Sequence, residues 1–265
     1  MISFTLALAL LIVGYVVYGG FMTRIVGIDE KRPTPAILNE DGVDFVPLPT
    51  WRIFLIQFLN IAGLGPIFGA IMGVVYGPAA FFWIVFGTIF AGATHDFLAA
   101  MMSLRMGGMS WPQMIGSQLG KKVQHTVIFL SALMLLVVVA VMAYNPADLM
   151  ANLTPKYLNS TFWVIVIFAY YIAATMFPID KLIGKIYPIF GGALLFMAAG
   201  ILIMIYVHGA DMPEIWSEFY NHSADPEKTP IFPMMFVSIA CGAISGFHAT
   251  QSPLMARCVK NEKYG

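Results

Sequence analysis

From Ile53 to Thr94 the chain runs for 42 residues without one Asp, Glu, Lys or Arg. A hydrocarbon layer about 30 Å thick is crossed by roughly 20 apolar residues at 1.5 Å each. The run is therefore long enough for two membrane-spanning helices, hinged at the turn pair Gly77-Pro78. The rest of the chain agrees: 59% of residues are hydrophobic and 11% charged, against about 25% charged in soluble domains. With a mean hydropathy of +0.81, a soluble globular fold is excluded. Fourteen basic residues balance fourteen acidic ones, so there is no cationic excess to meet a phosphate backbone, and nucleic acid is not an expected partner.

Hydrophobic runs predict seven spans, near residues 3–22, 53–76, 79–102, 124–143, 161–177, 188–207 and 231–256. The first lacks a basic flank and is long for a signal segment, so it reads as a retained helix. The expected fold class is an all-α, polytopic membrane protein, a single transmembrane domain over 1–265. Twelve of the fourteen Lys and Arg fall in one set of alternate loops, and only Lys156 and Lys228 in the other. The positive-inside rule then places the N-terminus outside and the C-terminus in the cytoplasm.

Two spans are interrupted. The second contains Asn60-Ile-Ala-Gly-Leu-Gly-Pro66 and the seventh contains Cys241-Gly-Ala-Ile-Ser-Gly-Phe-His-Ala-Thr-Gln-Ser-Pro253. Proline inside a helix deletes a hydrogen bond, and glycine weakens the helix by about 1 kcal/mol. Lipid cannot satisfy the freed backbone groups, so such a break must face protein or a cavity. Counted from the inner surface, residues 60–66 lie roughly 12 to 21 Å deep, at the midplane. One break alone also serves close packing or a kink. Two breaks at matching depth, in spans of opposite direction, are the signature of an inverted-repeat transporter with its site between them. Because a second repeat would begin at the seventh span, the chain reads as the N-terminal part of something longer.

Asp96 is the acid well inside a span, which makes it a functional candidate by default. The other reading is a carboxylate that pairs with a neighbouring helix and fixes packing. His95 precedes it, but adjacent helical positions point about 100° apart, so the two need not face one cavity. His248 lies in the second break, where a histidine exchanges a proton near neutral pH or bonds across a helix interface. Asp96, His248 and His95 are the candidate proton-coupling groups. Gln57 and Asn60 share a face beside the first break, and Ser245, Thr250, Gln251 and Ser252 surround the second. With Gly63, Gly65, Pro66 and Gly246, whose backbone groups the breaks release, they suit a small anionic or zwitterionic substrate.

Enzyme readings are weaker. Ala243-Ile-Ser-Gly246 approximates the G-x-S-G of intramembrane serine proteases, with His248 three residues after Ser245, but the first glycine is missing. HExxH is absent, and one intramembrane Asp lacks the partner of a carboxylate dyad. Cys241 and Cys258 have no metal-binding spacing, so no cofactor or metal is expected. A channel stays open as an alternative, as does a fragment that does not transport. Oligomeric state is not legible.

Four stretches resemble the carbon starvation protein A family of bacterial inner-membrane transporters: Thr34-Pro-Ala-Ile-Leu-Asn-Glu-Asp-Gly-Val-Asp-Phe-Val-Pro47, Ile61-Ala-Gly-Leu-Gly-Pro66, Ala91-Gly-Ala-Thr-His-Asp-Phe97 and Cys241-Gly-Ala-Ile-Ser-Gly-Phe-His-Ala249. The resemblance implies uptake of peptides or small carboxylates such as pyruvate, with proton symport, during carbon limitation. It also implies an arrangement similar to the five-plus-five inverted-repeat (LeuT-like) transporters. The family motifs coincide with the two breaks and with Asp96, which adds weight to Gly63, Gly65, Pro66, Ser245, Gly246 and His248.

Overall fold

Residues 2–26 carry almost no polar side chain to compete with the backbone, and they form one helix, α1 (Ile2–Val26), 25 residues long. Its amides at Ile2 and Ser3 donate to the carboxylate of Glu214. Gly27 ends it at φ 65°, where a left-handed residue without a Cβ lets its amide reach the Thr23 carbonyl. A computed structural model describes residues 1–176, 179–244 and 246–265 of the chain, apart from the side chains of 64, 179–187, 241, 243, 246, 247 and 249.

Every regular element among these residues is helical. After the short α2 (Pro35–Leu38) come α3 (Thr50–Ile61) and α4 (Leu64–Gly73), then α5 (Ala79–Phe86), a π-helical segment (Gly87–Ala93) and α6 (Thr94–Arg105). Next are α7 (Trp111–Leu119), α8 (Lys121–Leu153), α9 (Ser160–Met176), α10 (Ile179–His208), α11 (Phe236–Ala243) and α12 (Gly246–Ala256).

The described helices place a regular element at each expected span, but not all are span-length. Four pass by length and composition: Ile2–Val26, Ala79–Arg105, Lys121–Leu153 and Pro188–His208. A fifth is a pair bent by 49°, Thr50–Ile61 with Gly65–Tyr76. The expected fifth span appears as the 17-residue α9, and the expected seventh as two helices, each shorter than a bilayer is thick. The count is thus four or five among the described residues, against seven expected: the seventh expected span adds up apolar length across a break that the backbone does not cross as one helix, and α9 ends where the described residues stop at 176.

The chain divides into two compact units, Met1–Trp111 with Gly191–Gly265, and Pro112–Phe190. Within the second unit α8 and α9 pack together, Tyr171 donating to the Met142 carbonyl at 3.2 Å and the Trp163 indole to Thr154 at 3.1 Å.

The first unit carries the interrupted helices. Tyr76, Ala79, Ala80, Met235 and Ile239 form one buried cluster between α4, α5 and α11. Ile53, Ala100, Met101, Leu104, Ala256 and Val259 form another between α3, α6 and α12. At one end of α1, Glu214 ties the N-terminus to the 209–230 loop. At the other end the buried Glu262 accepts from the Asp29 amide at 2.6 Å, Arg32 at 3.0 Å and Arg105 at 2.9 Å. Those two ends are about 37 Å apart along 25 helical residues, so the loops that follow α10 and α12 lie on opposite sides of this unit.

Candidate functional site

The first break forms where the backbone cannot continue the helix. Ala62 closes α3 with its amide on the Phe58 carbonyl at 2.8 Å, and Gly63 is extended at φ −75°, ψ −179°. The helix resumes at Leu64, which places Gly65 and Pro66 in the first turn of α4. This corrects one expectation. Pro66 deletes no intrahelical bond, because an amide in the first turn has no acceptor to lose; the residue starts a helix and does not kink one. The second break is at Ile244, φ −139°, ψ 86°, whose amide closes α11 on Ala240 at 2.7 Å. Gly246 opens α12, and Ser245 lies outside the described residues.

The two breaks meet. A Cβ on Gly242 would lie 3.1 Å from the Pro66 carbonyl oxygen and 3.4 Å from its Cα, so the end of α11 rests directly on the start of α4. Beside this crossing, α12 packs against both α3 and α6. Ser252, 2% exposed, donates to the Asp96 carbonyl at 2.9 Å. Two turns further along α6, Ser103 donates to the Pro253 carbonyl at 2.9 Å.

This packing brings the candidate proton groups together. His248 is 3% exposed, and its Nδ1 lies 2.6 Å from Oδ2 of Asp96. The other carboxylate oxygen, Oδ1, is 3.0 Å from Nδ1 of His95. On the far side of the His248 ring, Nε2 is 3.3 Å from Oε1 of Gln57. Gln57, His248, Asp96 and His95 therefore form one chain of polar contacts across α3, α12 and α6. Asp96 thus pairs across a helix interface, and its partner is the residue singled out from sequence for proton exchange.

The remaining candidates are spread more widely. Gln57 serves the histidine and is not left as an isolated ligand, and Asn60 follows it at the end of α3, half-buried. Gln251 turns its amide to Thr250 Oγ1 at 3.4 Å. His95 does meet Asp96, because its ring folds back across the helix surface to stand 5.9 Å from Trp111.

Ser103 and the π-helical segment were not singled out from sequence. The π-helical turns Gly87–Ala93 end one residue before Thr94 and two before His95. Wider turns of this kind shift the face that every later residue presents and recur at functional sites. The only sequence signal is the small-residue run Ala91-Gly-Ala93.

A carboxylate set against a buried imidazole offers one defined place where a proton can be held or released. The fold and this site define a multi-pass helical membrane protein with interrupted helices around a titratable pair. Within that class, the chain belongs to the family described as carbon starvation protein CstA, whose profile matches residues 1–162 and 147–263. It is 40% identical to a protein of Haemophilus influenzae described as an uncharacterized membrane protein, over all of this chain and 84% of the relative. That alignment, at 313 positions, is longer than the chain, so the relative carries further residues between the matched stretches.

Identity is 26% to the peptide transporter CstA of Campylobacter jejuni, over 97% of this chain and 46% of that protein. To the pyruvate/proton symporter BtsT of Escherichia coli it is 24%, over 85% of this chain and 40% of that protein. The chain thus spans half or less of the length of the relatives named as transporters. No solved structure matches it.

Proposed function

We propose that this chain acts in a proton-coupled secondary transporter of the bacterial inner membrane, importing peptides or small carboxylates such as pyruvate under carbon limitation. Its N-terminus faces outward and its C-terminus the cytoplasm. The carrying observation is the Asp96–His248 contact at 2.6 Å, set beside the crossing of two interrupted helices. In this reading α3–α4 and α11–α12 are the broken helices of a five-plus-five inverted repeat, and the substrate lies between them at the midplane. Its carboxylate is held by backbone amides at the start of α4 and α12, around Gly63, Gly65 and Gly246, with Pro66 shaping the first turn of α4 and Asn60, Ser245 and Gln251 as polar neighbours. Asp96 and His248 carry the coupled proton, with His95 as the group behind Asp96. The names of the peptide transporter and pyruvate/proton symporter relatives support the substrate classes.

The test is uptake into proteoliposomes. With an inward proton gradient, the protein is expected to accumulate labelled pyruvate or a short peptide above its external concentration. Asp96→Asn and His248→Ala should abolish uphill accumulation while monodispersity is retained. Accumulation that follows a pH step equally well in both variants removes the coupling assignment. Unsaturable downhill flux without accumulation marks a channel.

A further inference from the structure

Gln57 was singled out as a substrate ligand, yet its side chain faces the His248 ring on the edge opposite Asp96, with Oε1 3.3 Å from Nε2. An imidazole carries one N–H when neutral and two when charged. Nδ1 lies 2.6 Å from the Asp96 carboxylate, and an N–H at that nitrogen would leave Nε2 as the one that gains or gives up the second proton. Whatever faces Nε2 must accept a hydrogen bond from the imidazolium and donate one to the neutral ring. A carboxylate only accepts and an ammonium only donates. A carboxamide does both, by turning its oxygen or its NH2 toward the ring.

The surroundings make this consequential. His248 is 3% exposed, so water does not replace a missing partner at low cost. Among the described residues, the titratable groups that face it are Asp96 and, behind that, His95, both from α6, and α3 presents the uncharged Gln57. We infer that Gln57 is a positioning residue that satisfies Nε2 of His248 in both protonation states, so that the proton can leave and return without stranding a buried polar atom. This rests on the reading of His248 as a coupling group, and it moves Gln57 from substrate contact to proton handling.

The experiment is a substrate-free titration of the intact protein carrying 13C-labelled histidine, with the His248 resonance assigned by its loss in His248→Ala. Gln57→Glu puts a fixed acceptor and a negative charge at Nε2, and the His248 midpoint is expected to move alkaline by about one pH unit or more. Gln57→Leu takes away the carboxamide oxygen that accepts from the imidazolium, and the midpoint is expected to move acidic. The pH profile of proton-driven uptake should follow the same two directions. A substrate ligand would behave otherwise, with Gln57→Leu raising KM while the substrate-free titration stays where it was; that result overturns the inference. A histidine titration unmoved by either variant overturns it too. If both midpoints move as expected but uptake in His248→Ala keeps its proton coupling, Gln57 is confirmed as the Nε2 partner and the coupling role of His248 is what fails.

Discussion

Two acidic side chains outside the spans do structural work at opposite ends of the first unit. Glu214 has its pKa lowered to about 2, first by the hydrogen bond from the N-terminal ammonium, then by Ser3 and the amides that follow. A carboxylate depressed in the folded state contributes stability that is present above its unfolded pKa of about 4.5 and is lost as pH falls toward 2. In detergent, the native protein should therefore melt above Glu214→Gln at pH 6, and the gap should close between pH 4.5 and 2. At the other end, burial pushes Glu262 up, but the hydrogen bond from Arg105, the Asp29 amide and the charges of Arg105 and Arg32 outweigh it and leave the carboxyl lowered. Replacing Glu262 by Ala strands the Asp29 amide and two half-exposed guanidiniums. A loss of about 1–3 kcal/mol is expected in a denaturant or thermal series. Nothing in the local sequence distinguishes Glu262 from any other charge of the C-terminal segment; its partners lie in loops far away in the chain.

Between elements, the decisive contact is glycine against backbone. Gly242→Val would push two methyl groups into Pro66 and force α4 and α11 apart, for an expected cost of about 1–3 kcal/mol in melting experiments. Gly19, in the middle of α1 with nothing within 4 Å of a new Cβ, is the control: Gly19→Ala should be neutral or stabilise by about 0.5–1 kcal/mol through helix propensity. The π-helical segment makes a sharper prediction. Inserting one residue between Ala93 and Thr94, beyond the wide turns, rotates every later residue by about 100° relative to them. Asp96 would then leave His248, and proton-coupled uptake should be lost while the helix Ala79–Arg105 stays long enough to insert. Both breaks were legible from Gly and Pro in apolar runs. That Pro66 begins a helix was not, because its effect depends on whether the chain breaks before it or at it.

For the whole molecule, sidedness is what charge and contact address together. Within the first unit, Arg32, Arg105 and the Asp29 amide meet at Glu262, and the acidic 209–230 loop meets the N-terminus at Glu214, at the other end of α1. The proposed orientation places the first group in the cytoplasm. In a variant lacking both native cysteines, a cysteine at position 228 should react with a membrane-impermeant maleimide in intact cells, and one at position 31 only after permeabilisation. The reverse pattern inverts the orientation and leaves the fold untouched.

The sequence alone determined where the chain is apolar long enough to lie in a membrane, which loops concentrate Lys and Arg, where the helices break, and that Asp96 and His248 are unusual. Each follows from local quantities: hydrophobic length, charge placement, and residues that cannot continue a helix. Only the tertiary structure decided that these two residues touch, that Gln57 faces the remaining ring nitrogen, and that Gly242 rests on Pro66. Those outcomes depend on which faces of α3, α4, α6, α11 and α12 come together. A face is set by the cumulative turn of each helix, and one π-helical segment of seven residues is enough to redirect it.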